Sequence, residues 1–323
     1  MNKIVFIIPY FGKFNNYFQL FLNSCAYNKN FDWLIFTNDK RTFKYPNNVK
    51  VIYTNFEQIK KKIESLFDFP ITLNSPYKLC DYRPAYGLIF KEYIKDYIAW
   101  GYCDSDLIWG NISHFITEQD FLEYDKIGIF GHCSLYKNTD KINNIFKVEL
   151  NGIKRYKVIM QRNRTNSFDE EFKDSINNIF EQENLKIRYT EYQANIYTKS
   201  SAFRLTKMNA DKKTYTIEQL QKAFFIWEKG SLFRYILING KLERKEFMYI
   251  HLQSRPMKIN LNNLFEKKYK IIPNAFDELE ASIIDEKTFT KIKKKHFNLH
   301  YFRLRSKNLY QKIERKFTGY YNS

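Results

Sequence analysis

The 323-residue sequence is short of glycine (10), proline (7) and cysteine (4). So little Gly and Pro excludes collagen-like and linker-like chains, and no internal period marks a repeat array. The cysteines, Cys25, Cys80, Cys103 and Cys133, include no C-x-x-C pair. Zinc ribbons and fingers are thereby excluded, and each thiol reads as a reduced core residue of a cytoplasmic protein. No stretch approaches the roughly 18–20 apolar residues that span a bilayer. The opening apolar run, residues 4–9, is too short for a signal-peptide core and reads as a buried strand. Acids are also scarce: 35 Asp and Glu stand against 53 Lys and Arg, a formal net charge of +18. That excess suits an anionic partner, whether nucleic acid, a membrane surface or a phosphorylated substrate, and AT-rich coding is an alternative source of the lysines.

What is present is apolar and aromatic. Hydrophobic residues make up 44% of the chain, with 30 Phe and 25 Tyr, enough for a sizeable core. Strands are expected at 3–8, 33–37 and 49–53, with helices at 14–25 and 56–67 between and after them. Alternation of this kind argues for an α/β fold with a largely parallel sheet. A helix is expected over 83–97, then a buried strand at 99–103 and another at 126–130. Further on, a helix is expected over 168–180, a hairpin over 225–236 and a late strand at 247–252. Past residue 258 the composition changes. Between Lys287 and Lys316 there are eleven basic residues and one acid. Leu309, Ile313 and Phe317 lie four apart there, as on a basic amphipathic helix.

The strongest chemical signal is Asp104-x-Asp106, at the mouth of the apolar strand Ala99–Cys103. Two carboxylates on a turn leaving a strand can approach one hard divalent cation, Mn²⁺ or Mg²⁺. The bland alternative is a solvated acidic turn. Upstream, Lys78, Asp81 and Arg83 crowd a helix start, where Lys78 or Arg83 could face a phosphate. Asp81 reads either as a ligand contact or as the helix N-cap. Downstream, His251 closes an apolar strand as a third metal ligand or a core histidine. Arg255, four residues on, reads as a phosphate clamp or a surface arginine. The acids Asp169, Glu170 and Glu171 between two phenylalanines are the candidates for a catalytic base, or are simply helix N-terminal acids.

Taken together, Lys78–Asp81–Arg83, Asp104-x-Asp106 and His251–Arg255–Pro256 resemble the motifs of glycosyltransferases of the GT-A fold. Residues 77–111 and the opening Ile-Pro-Tyr-Phe-Gly also resemble putative glycosyltransferases from bacterial capsule and lipopolysaccharide gene clusters. The resemblance implies a GT-A-like, Rossmann-type, mostly parallel sheet flanked by helices over 1–257, and a basic, helical extension over 258–323. It implies that Pro9, Tyr10 and Phe11 lie against a nucleotide base and that Asp39 lies near base or ribose. Asp81 and Arg83 would contact ribose and diphosphate, and Asp104 and Asp106 would hold the metal. The expected reaction moves a sugar from a nucleotide-sugar, a UDP-sugar by this likeness, to a saccharide or lipid-linked saccharide acceptor. The basic tail would rest on the inner face of the cytoplasmic membrane, and no nucleic-acid partner is expected. A nucleotidyl- or phosphosugar transferase, or a nucleic-acid-binding protein, is the alternative.

Overall fold

The computed structural model describes residues 4–170, 173–209, 214–281 and 283–293, and then 299, 302–303, 305–307, 309–310 and 313. The fold is mixed α/β. Its first strands are β1 (Ile4–Tyr10), β2 (Phe31–Thr37), β3 (Val49–Tyr53), β4 (Ala99–Cys103) and β5 (Leu107–Trp109). Next come β6 (Lys126–Phe130), β7 (Cys133–Lys137), β8 (Ile187–Arg188) and β9 (Gln193–Asn195). Seven of these form one sheet in the order β3-β2-β1-β4-β7-β6-β8. The pairs β3–β2, β2–β1, β1–β4 and β6–β8 are parallel, while β4–β7 and β7–β6 are antiparallel.

The apolar runs are explained by burial on both faces of this sheet. Val5, Ile7, Leu34, Phe36, Trp100 and Tyr102 point to one core, which helix α2 (Phe56–Glu64) covers with Ile59 and Ile63. Ile4, Phe6, Ile8, Trp33 and Ile35 point to the other, which helix α1 (Phe18–Ala26) covers with Phe18, Phe21 and Leu22. Each such side chain removed from water contributes about 1.5–3 kcal/mol. α2 begins at a capping box, Asn55 with Gln58. Gly101 is required where β4 meets β7, because a Cβ there would lie 2.3 Å from the Ser134 carbonyl oxygen.

The second half builds different sheets. Strands β10 (Thr206–Met208) and β11 (Tyr215–Ile217) pair with each other. Then follow β12 (Ala223–Glu228), β13 (Ser231–Ile238), β14 (Lys241–Glu246), β15 (Tyr249–His251), β16 (Lys258–Asn260), β17 (Lys268–Ile272) and β18 (Ala275–Asp277). Six of them form a sheet in the order β14-β13-β12-β17-β18-β16, antiparallel except at β16–β18. The expected hairpin is its centre, with Lys229 and Gly230 both at positive φ in the turn. β15 lies between β5 and β9 in a three-stranded sheet that joins the halves. A single, mostly parallel sheet is therefore too simple a description.

Three expected helices change. Residues 76–85 form a 3₁₀ helix, followed by single turns at Tyr86–Ile89 and Lys91–Ile94, in place of one helix over 83–97. Pro84 offers no backbone N–H to a regular helix at that point. The later helix starts at Ile176, capped by Ser175, so residues 168–170 lie in the turn before it. Past 258 the chain adds three strands to the six-stranded sheet, and helix returns only at Glu286–Lys293. Phe289 and Ile292 of that helix are buried against the outer face of the sheet. The described residues from 302 to 313 are helical and exposed, and Phe317 lies outside the described residues. Among the described residues no helix is long and apolar enough to cross a membrane.

Candidate metal and ligand cleft

A cleft of about 900 Å³ opens at the carboxyl ends of β1 and β4. Ligands of open α/β sheets sit at such strand ends because the loops there are free of the ladder. β1 delivers Pro9, Tyr10 and Phe11 to its wall, and the turn after β4 delivers Asp104 and Asp106. From the other half, β15 delivers His251, and the residues after it deliver Gln253 and Ser254. β15 is antiparallel to β5, with His251 opposite Leu107, so the histidine ends beside the acidic turn.

Candidate ligand atoms of Asp104, Asp106 and His251 lie within 4.8 Å of one another. His251 Nε2 is 3.5 Å from Asp104 Oδ2 and 3.4 Å from Asp106 Oδ1. Asp106 Oδ2 accepts hydrogen bonds from the Ser254 backbone N–H and hydroxyl. Its Oδ1 is buried with no hydrogen-bond partner among the described residues. Burial raises the Asp106 carboxyl, but the adjacent His251 outweighs it and holds the group below its ordinary value. Burial likewise lowers the His251 imidazole, and the two aspartates more than reverse that. His251 Nδ1 faces Asn195 Oδ1 at 3.3 Å, an arrangement that turns Nε2 toward the carboxylates. Two carboxylates and one imidazole suit Mn²⁺ or Mg²⁺, and Asp106 Oδ1, buried without a hydrogen bond and 3.4 Å from His251 Nε2, fits the part of a ligand oxygen. Gln253 and Ser254 are both at positive φ, a strained pair that brings the Ser254 N–H to Asp106.

Arg83 joins this group to a second acid. Its guanidinium donates to Asp104 Oδ1 at 2.5 Å, to Asp169 Oδ2 at 2.9 Å and to the Gly131 carbonyl. Asp169 is fully buried, and burial pushes its carboxyl up to about 7 despite the arginine. Glu170 lines the cleft. Gly131 gives these acids room, since a Cβ there would lie 2.7 Å from Glu170 Cγ and displace that side chain. Glu171 lies outside the described residues.

Four expected nucleotide-sugar contacts face elsewhere, and Asp169, an expected catalytic acid, is buried behind Arg83. Lys78 and Asp81 form a buried ion pair at 3.0 Å, with side chains 2% and 0% exposed. Lys78 Nζ also donates to the Ile159 and Arg164 carbonyls, and Asp81 accepts from the Asn166 N–H. The pair therefore anchors the loop that carries Asp169, and Asp81 is neither helix cap nor cleft residue. Arg255 is buried, and it donates to the Pro273 and Ser200 carbonyls. Asp39 accepts from Arg41 and from the Phe14 N–H, and Arg41 holds its carboxyl down at about 2. Their charges are consumed in holding loops.

The cleft also contains residues that carry no sequence signal of their own. Asn195, Tyr77, Cys80 and His132 line it. Only the pairing of β9 with β15 brings Asn195 to His251.

This is a mixed α/β protein with a candidate cation site at the mouth of its first sheet. A family model described as "Family of unknown function (DUF6625)" matches residues 6–280, and the chain belongs to that family. No curated protein matches the chain.

Proposed function

We propose that the protein is a metal-dependent glycosyltransferase with a GT-A-like nucleotide-sugar domain. The observation that carries the reading is the convergence of Asp104, Asp106 and His251 at one end of the cleft. The parallel order β3-β2-β1-β4, with the cleft at its carboxyl end, supports the GT-A assignment. Asp104, Asp106 and His251 would hold Mn²⁺ or Mg²⁺, and the cation would supply Lewis-acid stabilisation of charge developing on a departing diphosphate.

The chain's own groups divide the remaining work. Tyr10, Phe11 and Tyr77 give the cleft flat apolar surface suited to a nucleobase. Arg83 holds Asp104 and places positive charge beside the diphosphate position. Asp169 positions Arg83 and does not line the cleft. Glu170 does line it, and is the better placed of the two acids to accept a proton from an acceptor hydroxyl. The donor is a nucleotide-sugar, with a UDP-sugar as the reading by resemblance, and the acceptor is a surface saccharide or its lipid-linked precursor.

Thermal shift with UDP and GDP, with and without Mn²⁺, tests the reading. Stabilisation that needs Mn²⁺ and is lost in Asp106→Ala is the expected outcome. Salt-sensitive oligonucleotide binding with no nucleotide response would point instead to the nucleic-acid alternative.

The tail supports a place of work at a membrane surface. Phe302, Leu309, Tyr310 and Ile313 are exposed, and so are Arg303, Arg305 and Lys307. Apolar and basic side chains together suit an anionic leaflet, at about 1 kcal/mol per basic residue. Phe289 and Ile292 cover the sheet, so charge neutralisation is a cleaner test than deletion from Lys287. Changing Arg303, Arg305 and Lys307 to Gln is expected to weaken binding to phosphatidylglycerol vesicles at least about tenfold. Unchanged binding would remove the membrane from the account.

A further inference from the structure

His132 occupies the turn between β6 and β7 and is among the residues that line the cleft. The backbone of this turn is tied to Asp104 and to its partner Arg83. The His132 carbonyl accepts from the Asp104 N–H at 3.0 Å, and the preceding carbonyl, of Gly131, accepts from Arg83. The ring itself is clamped by three others. It stacks on His251 with centroids 4.4 Å apart and on Phe130 at 5.1 Å, and it meets the edge or face of Tyr249 at 5.7 Å. These contacts hold the imidazole against the wall that carries His251. Its Nε2 is nevertheless buried with no hydrogen bond among the described residues. Native structures leave few buried polar atoms unpaired, and those they do leave call for an explanation.

The role of a cation ligand does not explain it, because the group whose ligand atoms converge is Asp104, Asp106 and His251. Its neighbourhood is instead rich in carboxylates, with Asp104, Asp106 and Glu170 on the same cleft. Under the reading above, a ligand's anionic oxygens would go to the cation held by Asp104, Asp106 and His251, and the acids disfavour them elsewhere on this wall. A hydroxyl is not disfavoured there, and it can both donate and accept, so it matches an imidazole in either tautomer.

We propose that His132 is a specificity-determining residue that hydrogen-bonds a hydroxyl of the sugar in a bound nucleotide-sugar. The inference rests on the glycosyltransferase reading above, and it adds a contact to the sugar itself. It assigns a neutral contact to the transferred group, next to the charged contacts to the diphosphate.

Isothermal titration at fixed Mn²⁺ tests it, comparing UDP, GDP, CMP and dTDP with their common sugar conjugates. In His132→Phe the ring stacking is kept and the nitrogens are lost. Free-nucleotide affinity is expected to stay within about twofold of wild type, while affinity for the preferred nucleotide-sugar falls about tenfold, the worth of one neutral hydrogen bond. His132→Asn, which restores a hydrogen-bonding group, is expected to recover part of that loss and serves if the first variant does not fold. Equal losses for nucleotide and nucleotide-sugar would make His132 a support for His251 and overturn the proposal. Unchanged affinity for both would overturn it as well. If the wild-type protein binds no nucleotide or nucleotide-sugar at all, the glycosyltransferase reading fails and this inference with it. Binding by the wild type with no selective loss in the variants sinks the inference alone.

Discussion

Two charged clusters draw on the segment 76–85, and they do opposite things. Lys78 and Asp81 are sealed in the interior, paired with each other and with the backbone of 159–168. Arg83, two residues on, reaches the cleft and bridges Asp104 and Asp169. Lys78, Asp81 and Arg83 share one 3₁₀ helix, yet the first two spend their charge on structure and Arg83 keeps its charge at the site. A buried pair has every donor and acceptor committed, so it has nothing to offer a ligand. Arg83 and Asp104 keep 15% and 29% of their side-chain surface exposed at the cleft, so this pair can still meet a ligand.

Breaking the interior pair is expected to have the largest effect. Asp81→Ala leaves Lys78 buried without its counter-charge and frees the loop at 166–168. The expected cost is about 3–5 kcal/mol in urea unfolding. A cost under about 1 kcal/mol would mean that the two clusters do not differ as described.

Next comes the pH dependence set by Asp169. Its folded carboxyl titrates near 7, above an unfolded value near 4, so between these the folded state binds the extra proton. Stability from this group is therefore full at acid pH and is lost as pH rises from about 4 to about 7. The slope approaches roughly 1.4 kcal/mol per pH unit. Asp169→Asn should flatten that slope in urea titrations taken across the window, and an unchanged slope would assign it elsewhere.

Arg83→Met should cost least in stability, under about 2 kcal/mol, because Asp169 can then take up a proton instead of standing as a bare buried charge. Its effect should fall on nucleotide binding, measured by titration. A stability loss as large as that of Asp81→Ala would erase the contrast between the two clusters.

Much of the first half was legible from residue order. The apolar runs at 4–8, 33–37, 49–53 and 99–103 are strands because both faces of the sheet are covered, which leaves little room for polar alternation. The acidic turn Asp104–Asp106 was legible because carboxylates at the end of such a run have few structural uses. His251 was legible for the same reason. What could not be read was direction. Lys78, Asp81, Asp39 and Arg255 stand at expected site positions in the chain, but each turns to a backbone carbonyl, an N–H or a neighbouring charge that only the folded chain supplies. The helix at 168–180 was misplaced because Asp169 and Glu170 look like N-terminal acids, whereas Ser175 with Asn178 is the cap that forms. Nothing in the local sequence marks His132 or Asn195. Each reaches the cleft through strand pairings between residues far apart in sequence, which local pattern does not record.

The central claim is that Asp104, Asp106 and His251 form a cation site. Titrating the protein with Mn²⁺ and following the free-ion electron paramagnetic resonance signal measures this directly. One bound Mn²⁺ per chain in wild type, and its loss in Asp106→Asn with the fold intact by circular dichroism, is the predicted result. No binding by wild type, or equal binding by Asp106→Asn, would contradict the account.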